Sequence, residues 1–118
     1  MALLGLRSLI YPVDDLVAAT RWWSDFLGRE PYFNEPFYVG FDVDGYEIGL
    51  NPGAALAAGP VTYLGVDDLD ATVHEALAAG AVLESPAEAV GDGIVVATVV
   101  SATGQRFGLI HNPHFRVH

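Results

Sequence analysis

The chain has 118 residues, of which 52% are hydrophobic, and this supports one domain with its own core and argues against intrinsic disorder. Its 15 acidic and 5 basic residues give a formal net charge of −10, and it contains no lysine and no cysteine. The charge excludes a basic surface for nucleic acid or anionic lipid, and the lack of cysteine excludes disulfides, thiolate metal sites and a cysteine nucleophile.

The N-terminal part of the chain carries a motif that recurs in its second half. A predicted strand over Leu6–Tyr11 is followed by Val13-Asp14-Asp15-Leu16, and a second predicted strand, Val61–Val66, runs into the same four residues at 66–69. The chain is therefore predicted to contain two copies of one unit within a single domain, 1–118. The expected division is module one at about 1–52, a linker at 53–60, module two at about 61–113 and a C-terminal tail at 114–118.

Each repeat is predicted to open a helix. An aspartate in each copy can accept hydrogen bonds from the free amide groups of the first turn, and each helix is predicted to end at a glycine, Gly28 or Gly80. The first helix carries an apolar stripe that we expect to pack in the core, with both tryptophans more typical of packing than of ligand stacking. The stripe comprises Leu16, Ala19, Trp22, Trp23, Phe26 and Leu27.

After each helix the pattern predicts a short strand, near 30–34 and 81–85, and then a hairpin. Asp44-Gly45 favours a two-residue turn that pairs Asp42 with Glu47 and Gly40 with Gly49. One face of this hairpin is then apolar and the other is polar, small and acidic. The polar face comprises Tyr38, Gly40, Asp42, Glu47, Gly49 and Asn51. The second hairpin, Ile94–Val100 with Gln105–His111, is apolar on both faces, which favours burial on both sides.

Taken with the repeat, two further motifs make the sequence similar to the vicinal oxygen chelate superfamily. They are Trp22-Trp23-Ser24-Asp25-Phe26-Leu27-Gly28 at the end of the first helix and Ala102-Thr103-Gly104-Gln105-Arg106-Phe107-Gly108-Leu109 near the end of the chain. That superfamily includes glyoxalase I, bleomycin-resistance proteins and extradiol dioxygenases. The resemblance covers nearly the whole chain and implies an α+β fold. It implies two βαβββ modules whose strands form a curled mixed sheet around a cavity.

The resemblance also implies where a divalent metal would be bound in metal-dependent members. One ligand comes from the first and one from the last strand of each module, and the matching positions are Ser8, Gly49, Val61 and Gly108. Divalent ions need oxygen or imidazole donors, whereas glycine has no side chain, valine has an alkyl group and a lone serine hydroxyl is a poor ligand. We therefore expect no metal and no other cofactor.

The candidate ligand-binding residues lie on the face expected to line the cavity. Asp42 and Glu47 are predicted cross-strand neighbours that could bind a cation or act as an acid and base, although a solvated sheet face explains them as well. Tyr38 and Tyr63 are candidates for stacking on a ligand. Arg106 could bind an anionic group, lie in water, or pair with a carboxylate such as Glu47.

Ser8 completes the candidate set as a polar residue of the first strand. The three C-terminal histidines, His111, His114 and His118, are expected to decorate a surface tail, because Pro113 breaks any helix that would align them.

Two functions lead among those that the sequence leaves open, ahead of a third, a partner module of a larger system whose cavity is degenerate. The first is a metal-free small-molecule binding protein that takes a cationic or aromatic ligand, with no nucleic acid or membrane partner. The alternative is a lyase, isomerase or dioxygenase of the same superfamily that uses non-standard metal ligands. Either way we expect a homodimer, because apolar sheet surface remains to be covered. No apolar run approaches the roughly 20 residues of a membrane span and no signal peptide is visible, so we expect a cytoplasmic protein.

Overall fold

The computed structural model describes residues 3–116. Each half of this range contains a strand, a helix and three further strands, which confirms the predicted α+β class and the duplicated βαβββ order. In chain order the elements are β1 (Leu3–Pro12), α1 (Leu16–Leu27), β2 (Phe33–Glu35), β3 (Tyr38–Val43), β4 (Tyr46–Asn51), a 3-10 turn (Leu56–Ala58), β5 (Val61–Val66), α2 (Leu69–Ala78), β6 (Val82–Gly91), β7 (Ile94–Val100) and β8 (Arg106–His111).

The chain divides into two compact units. The first unit is Ser8–Val61 with Arg116, and the second is Thr62–Phe115 with the described residues up to Arg7. Strand β1 therefore contributes to both units. None of the helices in residues 3–116 has the length and apolar character needed to cross a membrane.

In the first unit the strands lie in the order β2-β3-β4-β1, with β1 parallel to β4 and the other pairs antiparallel. The hairpin register is the one predicted, since Asp42 pairs with Glu47 and Gly40 pairs with Gly49. The apolar face of the hairpin packs against α1, and its centre is fully buried. The buried residues are Val39, Phe41 and Leu50.

In the second unit the strands lie in the order β5-β8-β7-β6, with β5 parallel to β8. The predicted hairpin of β7 and β8 is confirmed, and Val100 pairs with Arg106 at its turn end. Strand β6 extends to Gly91, well beyond the short strand predicted near 81–85. The core lies between α2 and the sheet and comprises Val66, Leu69, Ala97 and Leu109.

Both helix starts follow the predicted capping chemistry. Asp15 accepts a hydrogen bond from the Ala18 amide at 3.0 Å, and Asp68 accepts one from the Ala71 amide at 3.0 Å. Gly28 and Gly80 both have positive φ, at 69° and 96°, as expected after a helix end.

The aromatic stripe of α1 is only partly in the core, which corrects the prediction for Trp22 and Phe26. Trp23 packs on the core and stacks on Tyr11 at 5.7 Å between ring centroids, whereas Trp22 and Phe26 are mostly exposed and stack on each other at 5.1 Å. Successive helical residues differ by about 100° in direction, so only one of two adjacent tryptophans can face the sheet.

The histidines also differ in part from the predicted surface tail. His111 is the last residue of β8 and is half-buried, with its Nδ1 3.2 Å from the Val66 carbonyl oxygen. His114 lies beyond the strand, with its Nε2 2.8 Å from the Asp92 carbonyl oxygen. His118 lies outside the described residues. His111 pairs with Val95 of β7 as the last residue of the ladder, and its side chain reaches the backbone of β5.

Candidate functional site

The polar face of the first hairpin carries a carboxylate held by two phenols. Glu47 accepts one hydrogen bond from the Tyr32 hydroxyl at Oε1 and another from the Tyr38 hydroxyl at Oε2. We call these three residues the glutamate–tyrosine cluster. Tyr38 and Glu47 lie on neighbouring strands, whereas Tyr32 precedes β2 and is fixed there because its amide donates to the Gly40 carbonyl at 3.0 Å.

Two glycines make room for the cluster. A β-carbon on Gly40 would lie 3.2 Å from Tyr32 Cε1 and 3.3 Å from Glu47 Oε1, and a β-carbon on Gly49 would lie 2.7 Å from Tyr38 Cζ. The second distance is far inside van der Waals contact. Gly49 is therefore required for Tyr38 to reach across β4 to Glu47.

The environment keeps Tyr32 protonated. Desolvation of the phenol raises the pKa of Tyr32 well above its usual range, and the hydrogen bond to Glu47 and the charges of Glu47 and Asp42 raise it further. Over the physiological range Tyr32 is a neutral hydrogen-bond donor. The cluster therefore presents aromatic rings around one carboxylate.

Asp42 and Ser8 adjoin this cluster by register. Asp42 lies opposite Glu47 as predicted, but its Oδ1 accepts from the Gly45 amide at 2.8 Å, which stabilises the hairpin turn. Its carbonyl oxygen accepts from Arg29 Nη1 at 2.5 Å. Ser8 is the partner of Glu47 in the parallel β1–β4 pair. Asp42 thus stabilises the turn, while the Glu47 carboxylate is held by two phenol side chains.

The second unit brings Tyr63 onto a glycine. Tyr63 pairs with Gly108, and a β-carbon on Gly108 would lie 2.8 Å from Tyr63 Cγ. Desolvation raises the pKa of Tyr63, although the nearby charge of Arg106 opposes this shift. Tyr63 is therefore a packed, neutral ring on this face.

Arg106 is paired with a residue that the sequence analysis did not single out. Its Nε donates to Glu84 Oε1 at 2.6 Å, and Thr98 also donates to that oxygen at 3.1 Å. The hydrogen bond from Arg106 lowers the pKa of the Glu84 carboxyl. The Nη1 of Arg106 is buried without an acceptor within residues 3–116. The sequence suggested Glu47 as one possible partner of Arg106, and the structure shows that the partner is Glu84 of β6.

The four positions that the resemblance assigns to a metal do not fit one. Gly49 and Gly108 are covered by tyrosine rings, and the buried Val61 offers only an alkyl group. Ser8 is left with a single neutral hydroxyl. Among residues 3–116 there is also no group of three or more His, Asp or Glu side chains placed to hold an ion.

The structure therefore sorts the candidate residues into two places. Tyr38 and Glu47 are joined directly in the first unit, and Tyr63 and Arg106 belong to the second. Tyr32 was not among the predicted site residues, and its only signal in the sequence is its place beside Pro31 and Phe33. Glu84 gave no signal, because a register shift in β6 near that residue cannot be predicted from alternation.

No protein-family model matches the sequence, and no curated protein matches it significantly. Solved structures match in fold. The methylmalonyl-CoA epimerase of Streptomyces coelicolor, in complex with 2-nitronate-propionyl-CoA, superposes with a TM-score of 0.76 at 14% identity, covering 95% of this chain and 99% of that one.

Two further structures agree with that match. The Mn(II)-bound glyoxalase of Novosphingobium aromaticivorans has a TM-score of 0.73 at 21% identity, covering 93% of this chain and 39% of that one. The methylmalonyl-CoA epimerase of Mycobacterium tuberculosis has a TM-score of 0.67 at 21% identity, covering 93% and 89%. These similarities confirm the fold that the sequence predicted, and at such identities they show the fold alone.

Proposed function

We propose that this chain, which has the vicinal oxygen chelate fold, is a small-molecule binding protein that takes a cationic or aromatic ligand without a metal. The glutamate–tyrosine cluster carries this proposal. A carboxylate held between two phenol donors supplies a fixed negative charge beside aromatic surface, and these are the two features that bind a flat or cationic molecule.

The charge of the chain supports a cationic ligand in particular. The net charge of −10 attracts cations over a distance, because the protein field raises their local concentration. Nearby, Arg29 donates to the backbone carbonyl of Asp42, and neither hydrogen bond to Glu47 comes from a cationic side chain. The two phenol hydrogen bonds to Glu47 thus leave its negative charge uncompensated, and this charge can attract a cationic ligand.

The glycine positions support binding that does not depend on a metal. In the metal-dependent members of the superfamily the last strand of each module supplies a ligand, and here both positions hold a glycine under a tyrosine ring. The glycines thus remove the metal ligands, and the tyrosine rings that lie over them provide aromatic surface. Proton transfer by Glu47 is the chemistry that remains open to an enzyme of this kind, and it is tested alongside binding.

The experiment is a thermal-shift and calorimetric screen of the full chain against organic cations and neutral aromatic compounds. A ligand at 100 times its Kd should stabilise the protein by about 2.7 kcal/mol. We expect E47Q and Y32F to lose most of this stabilisation, and E75Q, which removes the same charge from an exposed position of α2, to retain it.

A screen in which no cation or aromatic compound stabilises the wild type would overturn the proposal. Unchanged binding in E47Q would overturn its assignment to the cluster. Turnover of a bound thioester or hemithioacetal, lost in E47Q, would replace binding alone with catalysis.

A further inference from the structure

Two further aromatic rings adjoin the glutamate–tyrosine cluster on the side of Tyr38. Phe33 of β2 lies 6.0 Å from Phe37 and 6.1 Å from Tyr38 between ring centroids, at interplanar angles of 67° and 55°. The rings are inclined to one another rather than stacked. With Tyr32 on the other side of Glu47, four aromatic side chains and one carboxylate form a continuous group in the first unit.

These rings are unusually exposed for aromatic residues. Tyr32 is 63% exposed, Phe37 is 66% exposed and Phe33 is 37% exposed, whereas Phe41 on the opposite face of the same hairpin is 0% exposed. The core of the unit is complete without them. Their packing therefore explains little of the stability of the unit, and the exposed ring surface is available to a ligand.

The hydrogen bonds to Glu47 restrict the kind of cation that suits this group. Each oxygen of the Glu47 carboxylate already accepts one hydrogen bond from a phenol, so fewer lone pairs are left to accept hydrogen bonds from a ligand. A primary ammonium has three donors that need acceptors when it leaves water. A fully alkylated ammonium has none, and it is attracted both by ring faces and by a nearby negative charge.

We infer that the ligand recognised by this group carries an alkylated ammonium, bound by the rings of Tyr32, Phe33, Phe37 and Tyr38 with Glu47 as the counter-charge. This inference rests on the proposed binding function and names its ligand class. Two of the charged groups near the site are acidic, since Glu35 lies opposite Tyr38 in the β2–β3 register and Asp42 lies opposite Glu47, while the cation Arg29 is held at the Asp42 carbonyl oxygen.

The test is a calorimetric comparison of tetramethylammonium, choline and ethanolamine binding to the full chain. Choline and ethanolamine differ by three methyl groups on the same nitrogen, so their ratio isolates alkylation. We expect choline to bind about tenfold more tightly than ethanolamine, and F37A to weaken choline binding about fivefold or more. F26A removes an equally exposed phenylalanine from α1 and serves as the matched control, with unchanged affinity.

The outcomes separate the inference from the function on which it rests. Choline tighter than ethanolamine, with loss in F37A and E47Q but not in F26A, supports the inference. Equal or tighter binding of ethanolamine, still lost in E47Q, overturns the inference and leaves the proposed function standing. Absence of binding by all three cations also overturns it, and the neutral aromatic compounds of the wider screen then decide the proposed function separately.

Discussion

The ring of Tyr63 occupies the space that a β-carbon would need on Gly108, its register partner in the parallel β5–β8 pair. The first unit repeats this relationship, with the Tyr38 side chain lying over Gly49 of the neighbouring strand. Both glycines stand at positions where the resemblance placed metal ligands. In both units, then, the space for such a ligand is filled by a tyrosine, and this has consequences that can be measured.

Substitution of Gly108 by alanine should destabilise the protein. The added methyl group would overlap the Tyr63 ring, and overpacking of this kind costs about 1–3 kcal/mol. Denaturant unfolding of wild type, G108A, Y63A and the double variant measures the coupling. We expect the penalty of G108A to shrink when Tyr63 is alanine, and an equal penalty in both backgrounds would show that the ring is not the obstacle.

Removal of divalent metal should leave the protein unchanged. Since Ser8, Gly49, Val61 and Gly108 do not form a donor set, dialysis against a chelator should not alter the melting temperature. Added Mn²⁺ or Zn²⁺ should not raise it. Elemental analysis of untagged protein checks the same point, and about one tightly held divalent ion per chain would contradict it.

Tyr32 should ionise later than an ordinary tyrosine. Its folded pKa is raised above the unfolded value of about 10, so its contribution to stability is complete below that pH and is lost as the pH rises further. Absorbance titration of the five tyrosines should show a late fraction to which Tyr63 also contributes, and Y32F should reduce it. The E47Q variant should shift this fraction to lower pH, because the hydrogen bond to Glu47 and the charge of Glu47 both raise the pKa of Tyr32. A Y32F titration that keeps the full late fraction would refute this assignment.

The Arg106–Glu84 ion pair should add a small amount to the free energy of unfolding. Its pH dependence should be opposite to that of Tyr32. The folded pKa of Glu84 is lowered, so its contribution is present above the unfolded value of about 4.3 and is lost as the pH falls through the folded pKa. Both side chains are about a third exposed, so E84Q should cost no more than about 1 kcal/mol at neutral pH.

Urea unfolding of wild type and E84Q at neutral and acid pH measures this difference, with E88Q on the same strand as the control. The two curves should converge in acid. A gap that persists or widens at low pH would contradict the pairing.

Local patterns were enough to predict the duplicated order of elements and the register of the first hairpin. The Asp44-Gly45 turn defines which residues lie opposite one another, so pairs such as Asp42 with Glu47 follow from counting. The caps at Asp15 and Asp68 follow in the same way, because capping involves only residues three positions apart.

Contacts between separate segments were beyond such reasoning. Tyr32 reaches Glu47 over 15 residues, and Arg106 reaches Glu84 over 22 residues through an irregular strand. The sequence also could not show that Trp23 is packed on the core and Trp22 exposed. Periodicity gives the width of an apolar stripe on a helix but not which edge of the stripe contacts the sheet. Side-chain reach and helix rotation, which depend on packing, decided these cases.

The most direct test of the central claim is a two-dimensional amide NMR titration of the full chain with choline. We expect the signals of Gly40 and Gly49, which underlie the rings of the glutamate–tyrosine cluster, to shift in a saturable manner in wild type and E75Q, and these shifts to be lost in E47Q. Saturable shifts confined to other parts of the chain, or shifts of Gly40 and Gly49 that persist unchanged in E47Q, would contradict it.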